Sequence, residues 1–206
     1  MPARRTSDDL REVIRDFRRD QVIDVARRLF GERGTTDVSM DEIAGEAGVA
    51  RSTVYVYFAN RGELLRACLQ RMYAQLLEAI ALTWEQEDEP ARRLERLIEE
   101  MLAVVDDSPG FFRLALGSQG THAGDSGVVG AELAQIGLDI ARLLQDLVVD
   151  GVSRGILRPV DTDLAIGLIG QQVYGAMAVR AGEPAPRPRD EAAADVTRFI
   201  LHGLAA

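Results

Sequence analysis

Apolar residues recur along this chain at intervals of three and four, the spacing that lines them up on one face of a helix. The first stripe is Val22, Ile23, Ala26, Leu29 and Phe30, and Gly34 ends it. It predicts a helix over about 18–33, with a start as early as Ser7. Leu64, Leu65, Cys68, Met72, Leu76 and Ile80 predict one long helix from Asn60 to Trp84. Pro90 fits the first position of the next, whose stripe is Leu94, Leu97, Ile98, Met101 and Val105. A short helix from Ser108-Pro109 carries Phe111, Phe112 and Leu116. Leu133, Ile136, Ile140, Leu143 and Leu147 mark another from about Val129 to Arg154, closed by Gly155. Asp161 caps a helix that runs to Gly182 and is apolar almost all round, and a last helix is expected from about Asp190 to His202. No stretch alternates with the period of two that a strand needs, so the fold class is all-α.

The densest information lies between Val38 and Leu65, where three helix starts follow closely. Ser39 is a good N-cap with Glu42 three residues on, which makes a capping box, and Val38 and Ile43 suit the accompanying hydrophobic staple. Gly48 suits the left-handed conformation that ends this short helix. A second helix from about Ala50 to Phe58 places Val54 and Phe58 on one face. Tyr55 and Phe58 read as core; Tyr57, two residues on from Tyr55, reads as pointing elsewhere, to solvent or phosphate. Asn60-x-x-Glu63 resembles another capping box at the start of the long helix. Two short helices joined by a tight turn containing Gly are the sequence form of a helix-turn-helix.

Charge changes the picture only once it is divided along the chain. The net charge of −9 taken whole argues against a nucleic-acid binder. Residues 1–71, however, carry 13 Arg against 12 acids, while residues 72–206 carry 11 Arg against 21 acids. Between Ala47 and Tyr73 the only acid is Glu63, against Arg51, Arg61, Arg66 and Arg71. Affinity for DNA follows the local basic surface, and the acidic remainder weakens non-specific sticking. Arg4 and Arg5 form a basic arm able to reach a minor groove, or else an ordinary loose terminus. All 24 basic residues are arginine.

Little else in the sequence suggests chemistry. Cys68, the single cysteine, lies on an apolar stripe and reads as a buried, inert thiol. His122 and His202 stand alone, without the second ligand a metal site needs, and no nucleophile motif or phosphate-cradling Gly loop frames a catalytic group. No cofactor, metal or catalytic residue is therefore expected. The absence of a signal-like or membrane-spanning apolar run fits a cytoplasmic chain.

The residues Ile23, Ala26, Leu29, Phe30 and Gly34, Val38-Ser39, Ile43-Ala44, Ala47-Gly48-Val49, Thr53-Val54-Tyr55, Tyr57-Phe58 and Arg61 to Leu65 resemble, in order and spacing, the N-terminal domain of the tetracycline-repressor (TetR) family. That stretch is roughly a quarter of the chain; the remainder is similar to the family only in length and helical pattern. The resemblance implies a three-helix DNA-binding domain over 1–60 and a helical domain over 61–206 for ligand binding and dimerisation. It further implies a homodimer on a double-stranded, palindromic operator, with the helix Asp161–Gly182 and the last helix pairing with their symmetry mates. The function expected is that of a repressor released by a small hydrophobic or amphipathic effector. The alternative is a helical ligand-binding or enzymatic protein with a vestigial helix-turn-helix.

Residues projecting from the Val54/Phe58 face are Arg51, Ser52, Thr53, Val56 and Tyr57. Arg51 suits guanine O6/N7, Ser52 and Thr53 bases or phosphate, and Val56 a thymine methyl. Family members often have a larger or polar residue where Val56 stands. Ser39, Tyr57 and Arg61 are expected on phosphate oxygens, the two helix starts adding their backbone amides. For the effector, Trp84, Met101, Phe111, Phe112, Tyr174 and Met177 supply apolar surface, with Gln171 and Gln172 as orienting polar groups.

Overall fold

A computed structural model describes residues 7–34, 37–84, 87–117 and 126–204. Among these the chain forms nine helices and no strand: α1 Ser7–Arg33, α2 Met40–Glu46, α3 Arg51–Tyr57, α4 Arg61–Trp84, α5 Pro90–Asp107, α6 Pro109–Gly117, α7 Ser126–Ser153, α8 Thr162–Gly182 and α9 Arg189–Leu204. Every expected helix is present. The basic arm Arg4-Arg5, His122 and most of the Gly-rich stretch lie outside the described residues.

Two hydrophobic cores organise the helices. The first joins α1, α2 and α3 through Val22, Ile23, Ala26, Leu29, Phe30, Val38, Ile43, Val54 and Phe58. It does not stop at residue 60: Leu64, Leu65, Cys68, Leu69 and Met72 of α4 complete it, and Phe111 and Ala115 of α6 plug it from the far side. The second core is built by the C-terminal half of α4 with α5, α7, α8 and α9, around Leu97, Ile98, Leu102, Leu147, Val148, Ile169 and Val173. Helix α4 belongs to both cores, its N-terminal half to the first and its C-terminal half to the second.

Helix α6 also bridges them. Phe111 and Phe112 are neighbours about 100° apart on the helix, so one enters the first core and the other the second. The approach to α1 is close enough to require glycine on both sides. A Cβ on Gly31 would lie 2.6 Å from the Phe111 amide nitrogen, and one on Gly110 would overlap the Gly31 carbonyl. The middle of α6 is tied to α8, where the Arg113 guanidinium donates to the Ala181 carbonyl at 2.5 Å. Nearby, Arg180 of α8, only 9% exposed, makes a two-pronged ion pair with Asp106 at the end of α5 (2.5 and 2.8 Å).

Candidate nucleic-acid interface

Helix α2 is held in place by the capping box read in the sequence. The Ser39 hydroxyl accepts from the Glu42 amide at 3.2 Å, and the Ser39 amide and hydroxyl both donate to the Glu42 carboxylate at 2.8 Å. Arg33, at the end of α1, donates to the same carboxylate (2.8 Å) and to the Asp37 carbonyl (2.7 Å). The Ser39 amide first, then Arg33 and the Ser39 hydroxyl, pull the Glu42 carboxyl down to about 2. Arg28 clasps the other end of α2 through Glu46 at 2.8 Å. The turn that follows needs Gly48 at φ +63°, and the Val49 amide closes it on the Ala44 carbonyl at 3.0 Å.

Seven residues make α3, and Val54 alone of them is buried. Arg51, Ser52 and Val56 face solvent as expected, Val56 being 78% exposed, and Thr53 is half-covered. The two tyrosines exchange places relative to the sequence reading. Tyr55, expected in the core, is 41% exposed beside Arg51, whose guanidinium lies 5.5 Å from its ring centroid. Tyr57, expected to point outward to phosphate, is half-buried against the first core, edge-on to Phe58 with centroids 6.3 Å apart. The reason is where α1 lies: it covers the Tyr57 side of α3, leaving a groove of about 640 Å³ lined by Arg15, Asp16, Arg19, Asp20, Val56 and Tyr57. Arg19 spans this groove and sits 5.4 Å above the Phe58 ring.

The polar groups on this surface already have partners within the chain. Arg51 pairs with Asp41 of α2 at 2.8 Å, both side chains more than half exposed. Such a pair contributes little, about 0–1 kcal/mol, so Arg51 can exchange Asp41 for a base edge at small cost. Ser39 is less free, because both hydrogen-bonding functions of its hydroxyl are used in the capping box. Arg61 is half-buried at the first residue of α4, beside the Asn60 side chain that accepts from the Glu63 amide at 3.0 Å. Cys68 lies fully inside the first core, its Sγ 3.6 Å from the Ile23 carbonyl, and burial pushes the thiol up to about 12.

Residues 22–68 match the family model for bacterial regulatory proteins of the tetR family, which places the match on α1 to α4 and the surface just described. That match to the tetR-family model covers these residues alone, less than half of the chain. Over 90 residues the chain is 38% identical to an uncharacterized HTH-type transcriptional regulator of Mycobacterium tuberculosis, covering 44% of this chain and 45% of that one. It is 33% identical over 98 residues to the HTH-type transcriptional activator FasR of Mycolicibacterium smegmatis, covering 47% and 45%. The aligned part thus spans less than half the length of these curated relatives. In fold the likeness covers most of the chain: the transcriptional regulator FadR from Bacillus subtilis, solved with stearoyl-CoA, superposes with a TM-score of 0.75 at 20% identity over 89% of this chain and 98% of that one.

The residues expected at the effector site are not brought together. Phe112 and Met177 are buried in the second core, with Met101 and Trp84 half-covered at its edge, Trp84 lying under the Arg93 guanidinium at 5.7 Å. Phe111 is in the other core, facing α1. Gln171, Gln172 and Tyr174 are exposed on the outer face of α8, where water satisfies their polar groups, and so lie apart from Phe112 and Met177 in the second core. That outer face also carries exposed Leu164, Leu168 and Val179, and α9 adds Phe199. Between the two helices runs a groove of about 610 Å³ that mixes Leu102, Val179 and Phe199 with Arg180, Arg187 and Asp195.

Proposed function

We propose that this protein is a ligand-responsive transcriptional regulator that binds operator DNA as a homodimer, α3 entering the major groove. The carrying observation is the exposed edge of α3, where Arg51, Ser52, Tyr55 and Val56 stand on a helix whose buried contact is a single valine, Val54. That edge offers a guanine-reading guanidinium, a hydroxyl and a methyl-sized contact, the set a major groove discriminates. Arg61 at the start of α4, Arg15 and Arg19 on α1, and the backbone amides at the helix starts supply phosphate contacts. Dimerisation is assigned to the α8–α9 face, whose Leu164, Leu168, Val179 and Phe199 remain exposed in the single chain. A two-fold axis there presents two α3 helices to a palindromic site.

The regulation proposed is repression released by a hydrophobic or amphipathic small molecule. Support comes from the apolar second core and from a structural neighbour solved with stearoyl-CoA. A relative named as an activator makes the direction of control the point to test. The effector acts through α6, because its Phe111 and the Gly31–Gly110 contact touch the DNA-binding unit while Phe112 and Arg113 touch the ligand-binding side. A shift of α5 or α8 on ligand binding then reaches α1 without passing through a loop.

Gel-shift of the full chain on the DNA upstream of its own gene tests the reading, followed by transcription in vitro with and without long-chain acyl-CoA. Retarded DNA, reduced transcript and reversal by the ligand are the expected results. No specific retardation would leave the helix-turn-helix vestigial; raised transcript would make the protein an activator.

A further inference from the structure

The first three turns of α1 lie outside both cores and carry an apolar stripe of their own. Leu10, Val13, Ile14 and Phe17 follow the i, i+3, i+4, i+7 rule and are 54%, 48%, 44% and 70% exposed. At about 100° per residue the stripe is centred on the side of the helix opposite Val22, Ile23, Ala26, Leu29 and Phe30, which α1 buries in its own domain. The same side continues as Gln21, Asp24 and Arg28, all exposed, so the stripe ends where the domain begins. A continuous helix cannot turn both faces to one body. Single apolar residues on a surface need no explanation, but four in register on a projecting helix call for a partner.

The edges of the stripe indicate which partner. Arg11 and Arg18 border it on one side; Asp16 borders it on the other, followed by Asp20, which Arg71 holds at 2.6 Å. One edge is basic and the other acidic. Two copies packed in parallel about a two-fold axis set the basic edge of each against the acidic edge of its mate. Antiparallel packing would set arginine against arginine and aspartate against aspartate. The present contacts of Arg15 with Glu12 (3.5 Å) and Asp16 (3.6 Å) are exposed and cost little to rearrange.

We propose that residues 10–18 of α1 form a self-association surface that pairs, in parallel, with the same segment of a second copy of this chain. The surface is separate from the α8–α9 face and has its own two-fold axis, so the two together join homodimers into tetramers. Four apolar side chains per copy make a small contact. The pairing is weak in free solution and gains where two dimers are held side by side on DNA.

Sedimentation of the full chain from low to high micromolar concentration tests this. The mass is expected to rise from dimer to tetramer, and Ile14→Glu with Phe17→Glu to hold it at half the tetramer mass, with helix content and affinity for a single operator unchanged. Arg11→Glu with Arg18→Glu gives two acidic edges, and Asp16→Arg two basic ones. Each variant alone stays dimeric, and their mixture regains the tetramer. In Leu10→Cys, oxidation cross-links position 10 to position 10, which meet only in the parallel pairing; buried Cys68 does not compete. A wild-type mass that does not rise with concentration, or stripe variants that associate like wild type, overturns the proposal. Cross-linking of Leu10→Cys to Phe17→Cys in place of itself overturns the parallel arrangement. Failure of the α8–α9 pairing is distinguishable, because it leaves the wild-type chain monomeric at the lowest concentration.

Discussion

Helices α3 and α8 each leave a face uncovered by the other described residues, and the two faces differ in kind. On α3 the open face holds Arg51, Ser52, Tyr55 and Val56, with Arg51 in an exposed ion pair that is easily exchanged. On α8 it holds Leu164, Leu168 and Val179, which gain little from water. The first suits a hydrated, charged partner whose surface is read group by group; the second suits another apolar surface that excludes water. The chemistry of an uncovered helix face therefore says more about its partner than the degree of exposure does.

The largest test of this contrast is Leu168→Arg. It buries a charge in the proposed dimer contact, so the dimer is expected to fall apart, with operator affinity dropping about a hundredfold or more as bivalent binding is lost. Light scattering and gel-shift together check it, and a dimer that survives reassigns the α8 face. Gly110→Ala comes next, since it forces α6 away from α1, the contact through which the proposed effector signal passes. Overpacking at such a contact costs about 1–3 kcal/mol, read as a lower Tm, and the effector should then release operator less completely.

Arg51→Ala is a smaller and more selective change. It should cost about 1–3 kcal/mol at one base pair and flatten preference there, whereas Arg61→Ala should weaken all sequences alike and reduce the salt dependence. Equal, sequence-independent losses in both variants would remove α3 from base readout. The smallest effect is on pH. Glu42 is held near 2 in the folded chain, below the ordinary carboxylate value of about 4.3. Its contribution is fully present above that ordinary value and is lost as pH falls toward 2. Acid titration of wild type against Glu42→Gln, followed by circular dichroism, should show the wild-type advantage disappear across that window.

How far the sequence could be read depended on how local each decision was. The Ser39–Glu42 box, the Gly48 turn, Pro90 at the start of α5 and the Asp161 cap of α8 each close within a few residues, and each forms as read. The tyrosines of α3 show where this stops. About the bisector of Val54 and Phe58, Tyr55 and Tyr57 lie some 80° to either side at 100° per residue, so helical periodicity treats them alike. Only the position of α1 distinguishes them, and it covers Tyr57. The effector set was scattered for a similar reason. Phe111 and Phe112 are adjacent in the chain, but α6 lies between two cores and sends one ring to each.

Caps, stripes and charge counts depend on neighbours in the chain, so the sequence alone was enough for the nine described helices, most of their ends, the family likeness of residues 22–68 and the separation of a nearly neutral N-terminal third from an acidic remainder. Tertiary structure decided which tyrosine is exposed, that α4 and α6 serve both cores, that Gln171 and Tyr174 face outward, and that the Leu10–Phe17 stripe points away from its own domain. Those outcomes depend on which surface lies opposite each helix, and helical periodicity defines a face without defining what packs on it.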